Sequence, residues 1–87
     1  MREVFATPQF RKDLRKIPSD FILRIDQVMR MLRENPLHPH LDLKKLVRIH
    51  PPAWRVRVGS YRLIYSFTAR EVVLYSIRHR KDIYESM

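Results

Sequence analysis

The chain contains no cysteine and one glycine among 87 residues. The missing thiol excludes disulfides, a thiolate nucleophile and the usual cysteine-bearing zinc site, and it predicts a cytoplasmic protein. Long apolar runs are lacking too. None approaches the ~20 residues that span a bilayer, and the opening Met1 to Ala6 has no apolar core of a secretion signal, so no membrane association is expected. Negative charge is scarce: 9 Asp and Glu stand against 18 Lys and Arg, a formal net charge of +9. Such a balance favours an anionic partner such as nucleic acid, an acidic protein or an anionic surface. The charge alone also fits a solvated basic surface.

Residues 1–87 are expected to form a single domain with a small core and an open surface site. Glu3 to Ala6 reads as a short strand. Thr7 and Pro8 then supply an N-cap and a proline at the first helical position, predicting a helix from about Pro8 to Lys16 with Phe10, Leu14 and Ile17 at helical spacing. After Pro18, Ser19 and Asp20 offer the cap of a second helix. Its apolar stripe is Phe21, Ile22, Ile25, Val28, Met29 and Leu32, and Asn35-Pro36 ends it. This stripe reads as core. Strands are predicted over Leu41 to Ile49 and Glu71 to Arg78, the latter apolar enough for a position inside a sheet and buried on both faces.

The most telling segment is Trp54 to Tyr65, Trp-Arg-Val-Arg-Val-Gly-Ser-Tyr-Arg-Leu-Ile-Tyr. Apolar and basic residues alternate around a two-residue Gly-Ser turn, the signature of a β-hairpin. With Gly59 and Ser60 as the loop, Arg57 pairs with Arg62, and Arg55, Arg57 and Arg62 share one face. Trp54, Val56, Val58, Tyr61, Leu63 and Tyr65 share the other, toward a core. Like charges placed opposite one another destabilise a sheet, so an anion is expected over that pair. Phosphate suits the guanidinium fork.

Cleaving RNA at a phosphodiester needs a base for the 2′-hydroxyl, an acid for the leaving 5′-oxygen and positive charge over the phosphate. Histidines stand at 38, 40, 50 and 79. His38-Pro-His40 resembles a metal-ligand pair by composition only, and His50 reads as structural or solvated; no metal and no cofactor is expected. Arg78-His79-Arg80-Lys81-Asp82-Ile83-Tyr84 gathers imidazole, guanidinium and phenol beyond the last strand. It reads equally as an anion site or as a solvated basic turn.

Together, the Trp54–Tyr65 hairpin and the His79-Arg-Lys-Asp-Ile-Tyr84 tail resemble the RelE/ParE superfamily of toxin–antitoxin toxins, over nearly the whole chain. The resemblance implies an α+β fold, with an N-terminal helical hairpin packed on a small curved, mainly antiparallel sheet. In the RelE branch it implies a metal-independent endoribonuclease that cuts mRNA at the ribosomal A site and so inhibits translation. By motif position, Arg55 and Arg57 look like the basic strand residues and Arg62 like the arginine after the turn tyrosine. Arg80 and Tyr84 look like the C-terminal pair, with Arg78 the alternative arginine. The catalytic set implied is Arg62, Arg80, Tyr84 and His79, with Arg57 and Arg62 holding the scissile phosphate, Arg80 stabilising the transition state, Tyr84 or His79 supplying proton transfer and Lys81 a further phosphate contact. The implied partners are the ribosome, mRNA and a cognate acidic antitoxin, in a toxin–antitoxin heterotetramer. A ParE-like gyrase inhibitor without ribonuclease activity is the rival reading, and an inactive toxin that binds only its antitoxin is a third.

Overall fold

Strand β1 (Glu3–Ala6) leads into helices α1 (Pro8–Arg15) and α2 (Ser19–Glu34), and β2 (Asp42–Leu46), β3 (Ala53–Val58), β4 (Tyr61–Phe67) and β5 (Glu71–His79) follow. This computed structural model describes residues 1–47 and 52–81. The strands form one sheet in the order β1-β5-β4-β3-β2. Among the described residues, only the β1–β5 pairing is parallel. The result is the α+β architecture expected from sequence, with both helices on the same face of a mainly antiparallel sheet.

The helices start and stop where local chemistry directs. The Thr7 side chain accepts a hydrogen bond from the Phe10 N–H at 3.1 Å, and Pro8 stands at the first helical position. At α2 the expected cap moves by one residue. Pro18, extended at φ −56° and ψ 144°, occupies the cap position, and its carbonyl accepts from the Phe21 N–H at 2.9 Å. Ser19 therefore becomes the first helical residue, and Asp20 lies in the first turn, where a carboxylate complements the helix dipole. Asn35 closes α2, and its side chain accepts from the Leu37 N–H at 3.0 Å.

Phe10 from α1 and Ile25 and Leu32 from α2 pack on Val56, Val58, Leu63, Tyr65, Val72, Leu74 and Ile77 of the sheet. Tyr65 is fully buried and donates its hydroxyl to the Pro36 carbonyl at 2.5 Å, tying the loop after α2 to the sheet. Burial raises its phenol above the ordinary range. It is a neutral donor, not a proton carrier.

Strand β5 lies inside the sheet, as expected, but β4 holds the centre. The expectation that β5 is buried on both faces fails. Val72, Leu74 and Ile77 are buried, whereas Val73 and Tyr75 are only half-buried because they lie away from the helices. Strand β2 starts one residue later than the predicted Leu41 to Ile49 and ends at Leu46; Arg48, Ile49 and His50 lie outside the described residues.

Candidate nucleic-acid interface

Hairpin register is the one expected. Val58 pairs with Tyr61, Arg57 with Arg62, Val56 with Leu63, Arg55 with Ile64 and Trp54 with Tyr65. Gly59 turns the chain at φ +58°, a conformation that side chains with a Cβ rarely adopt. An added Cβ there would also lie 2.7 Å from the Phe21 ring. Both conditions call for glycine.

The neighbouring strands extend the hairpin into a row. Asp42 on β2 is the Cα partner of Arg57, and Arg62 on β4 is that of Arg78 on β5. One face thus carries Asp42, Arg57, Arg62 and Arg78 on four successive strands. Adjacent strands lie about 4.8 Å apart, so the row spans about 14 Å.

Arg78 reaches this row because β5 is bulged. Ile64 pairs with Ser76 but Tyr65 pairs with Leu74, which leaves Tyr75 as an extra residue. The extra residue reverses the side-chain alternation. It lets Leu74 and Ile77 both face the core, and it turns Arg78 to the arginine side. Helix α1 holds the bulge from the outer edge, where β1 has ended. The Thr7 hydroxyl donates to the Tyr75 carbonyl at 2.8 Å, and the Asp13 carboxylate accepts from the Ile77 N–H at 2.9 Å. Asp13 is buried and also accepts from the Gln9 amide at 2.8 Å. On the arginine side, the Tyr75 and Ser66 hydroxyls are hydrogen-bonded at 2.9 Å.

The arginines differ in setting. Arg57 is half-exposed, Arg55 retains 18% of its side-chain surface, and Arg78 is exposed. Arg62, expected to face a ligand beside Arg55 and Arg57, is buried at 6% exposure. Its guanidinium donates to the carbonyls of Gly59 and Tyr61 at 3.3 and 3.1 Å, so it also braces the turn. Part of the anion expected over the arginine pair is internal: Asp42 lies 3.5 Å from Arg57 and 3.9 Å from Arg55.

The tail residues separate. Tyr61 is the Cα partner of His79, so His79 lies on the helix side of the sheet rather than in the arginine row. Its ring packs edge-on against Tyr61 at 5.3 Å, and Tyr61 meets Phe21 in the same way at 5.1 Å. His79 Nδ1 accepts from the Lys81 N–H at 3.2 Å, which keeps the proton of the neutral ring on Nε2. Exposed Arg80 donates its N–H to the Ser60 carbonyl at 2.8 Å, joining the tail to the hairpin turn, and Lys81 is exposed beside it. Tyr84 lies outside the described residues. His38 Nδ1 accepts from the His40 N–H at 3.1 Å. Among the described residues, no three His, Asp or Glu side chains gather to hold a metal.

Asp13, Asp42, Ser66 and Tyr75 were not legible as site residues. Asp42 opposite Arg57 follows only from the β2–β3 register, which no motif specifies.

Residues 4–84 match the family described as ParE toxin of type II toxin–antitoxin system, parDE. The chain is 32% identical over 87 residues to toxin RelE3 of Methanocaldococcus jannaschii, covering 98% of this chain and 97% of that protein. Its fold superposes on the RelB–RelE antitoxin–toxin complex of Methanococcus jannaschii with a TM-score of 0.80, at 27% identity, over 95% of this chain and 98% of that one. The toxin–antitoxin complex RelBE2 of Mycobacterium tuberculosis gives a TM-score of 0.74 at 28% identity, over 91% and 98% of the two chains. YafQ of E. coli, at 17% identity, shares the fold with a TM-score of 0.78 over 97% and 99%. This bulged five-stranded sheet under two helices therefore belongs to a type II toxin–antitoxin toxin of the RelE/ParE superfamily.

Proposed function

We propose that this toxin is a ribosome-dependent, metal-independent endoribonuclease that cuts mRNA in the ribosomal A site and so arrests translation. The observation that carries this reading is the row of Arg57, Arg62 and Arg78 on the face that α1 and α2 leave open. Two exposed guanidinium groups, Arg57 and Arg78, two strands apart with Arg62 buried between them, suit the backbone of a nucleic acid better than a single anion. The substrate 2′-hydroxyl gives up its proton as its oxygen attacks the adjacent phosphorus, the bond to the 5′-oxygen breaks, that oxygen leaves as a protonated hydroxyl, and a 2′,3′-cyclic phosphate remains. Arg57 and Arg78 hold the phosphate, with Arg62 bracing the turn behind them and Arg55 flanking. Arg80 stabilises the charge that develops on the pentavalent phosphorus, with Lys81 as an outer contact. Tyr84 is the candidate for proton transfer. His79 lies on the helix side of the sheet, away from the phosphate held by the row, so this reading gives it no proton-transfer step.

In this reading the toxin works in the cytoplasm and is held silent in a heterotetramer with an acidic antitoxin. The complexes among its structural relatives support a cognate antitoxin. A gyrase-directed toxin is the second reading, favoured by the match to the ParE toxin family. Primer extension on mRNA from programmed ribosomes separates the two. New 3′ ends that persist under a transition-metal chelator, with magnesium retained for the ribosome, support the ribonuclease. Intact mRNA together with trapped gyrase–DNA complexes overturns it.

A further inference from the structure

The arginine row is charged unevenly along its length. At the β2 end, the Asp42 carboxylate meets the guanidinium groups of both Arg55 and Arg57. Among the described residues, no other carboxylate pairs with Arg55, Arg57 or Arg78. Beyond Arg78 the charge remains basic through Arg80 and Lys81. Arg55 is the more demanding of the two arginines at the acidic end. Its side chain is mostly covered, and its buried Nε has no hydrogen-bond partner. A guanidinium in that setting calls for an anion close by, and Asp42 is in place to serve. Asp42 cannot move far, because the β2–β3 ladder sets it opposite Arg57.

We infer that Asp42 is a resident stand-in for a phosphate at the Arg55–Arg57 end of the row, and that it determines where the bound RNA backbone stops. The carboxylate neutralises Arg55 and the Nε edge of Arg57, leaving the terminal nitrogens of Arg57 as the last phosphate ligand of the row itself, with exposed Lys44, opposite Arg55 on β2, outside it. The RNA path therefore runs toward Arg78 and the tail. This inference rests on the arginine face being the RNA-binding face. Asp42 is more than half exposed, and solvent-exposed ion pairs of this kind contribute little to folding. Removing the carboxylate thus changes the charge pattern and leaves the fold intact.

The test is fluorescence anisotropy of a labelled, 2′-O-methylated single-stranded RNA oligonucleotide, which binds without offering a 2′-hydroxyl for cleavage. The full-length toxin, Asp42→Asn, Arg55→Ala, Arg57→Ala and the Asp42→Asn/Arg55→Ala double variant are compared over a range of salt, with thermal melts as folding controls. Each phosphate neutralised on a single strand steepens the plot of log K against log salt by about 0.7. Asp42→Asn is expected to steepen it by that amount and to tighten binding several-fold at low salt. In the Arg55→Ala background the slope is expected to stay unchanged, with only the smaller low-salt gain from releasing the Nε edge of Arg57. An unchanged slope or weaker binding by Asp42→Asn, or a steepened slope that survives Arg55→Ala, overturns the inference. If Arg57→Ala still weakens binding, the RNA-binding face stands without it. If the wild-type toxin fails to bind, or Arg57→Ala binds as wild type, that face is wrong and the inference falls with it.

Discussion

The Asp13 carboxylate accepts a hydrogen bond from the Ile77 N–H at 2.9 Å, joining residues 64 positions apart immediately after the β5 bulge. An acid on the first helix thereby helps decide which way an arginine on the last strand points. Asp13→Ala leaves a buried N–H without a partner, which costs about 1–3 kcal/mol. We expect a lower urea midpoint with an unchanged m-value, together with toxicity lost out of proportion to stability, because Arg78 no longer holds its place in the row. Unaltered growth inhibition by a stably folded Asp13→Ala would show that the bulge does not serve the site.

Arg57 and Arg62 should fail in different ways. Arg57→Ala removes a half-exposed guanidinium and should lower ribonuclease activity with little change in melting temperature. Arg62→Ala removes a buried side chain that bonds two turn carbonyls, and should cost about 1–3 kcal/mol as well as activity. For Arg78→Ala and Arg80→Ala, the loss of oriented charge should lower the rate ~10²–10³-fold, read as cleavage per programmed ribosome. If Arg80→Ala retains activity while Arg78→Ala loses it, Arg78 is the transition-state arginine.

Gly59→Ala combines a left-handed backbone with a Cβ placed 2.7 Å from the Phe21 ring. The backbone alone costs ~1–2 kcal/mol. The two parts can be separated by a double-mutant cycle: in a Phe21→Ala background the contact is absent, so Gly59→Ala should cost less by the steric share. Equal costs in both backgrounds would assign the whole penalty to the turn.

Alkaline unfolding should report on Tyr65. Its buried phenol stays protonated in the folded protein above the ordinary tyrosine value of 10.0, whereas the unfolded chain ionises there. The stabilisation is complete below pH 10.0 and is lost as the pH rises above it, by about 1.4 kcal/mol per pH unit. Tyr65→Phe should flatten that loss. It should also lower stability at neutral pH by about 1–3 kcal/mol, because the Pro36 carbonyl loses its donor. An equally steep alkaline loss in Tyr65→Phe would move the effect to other groups.

Capture by an acidic antitoxin should be fast at low salt and slow as salt rises, because a chain of net charge +9 attracts it over distance. Exposed Val4, Phe5 and Leu23 are available as apolar anchors. Phe5→Ser should then raise the off-rate more than it changes the on-rate. Stopped-flow association that does not vary with salt would remove the electrostatic half of this account.

Local rules carried much of this protein. Period-two alternation around one Gly-Ser turn is enough to pair Arg57 with Arg62, because a two-residue loop leaves a hairpin a single register. Thr7 and Pro8 announce a helix start through groups at most three residues apart. Tertiary structure decided what depends on distant partners. The β5 run is apolar at nearly every position, so it carries no alternation from which a bulge could be read, and the parity of Arg78 and His79 followed only once Thr7 and Asp13 were seen against its edge. Asp42 could join the row only through the β2–β3 register, across a loop whose length does not specify pairing. Arg62 looked like its neighbours in sequence and differs because its guanidinium folds back onto the Gly59 and Tyr61 carbonyls, a contact that only the folded turn supplies.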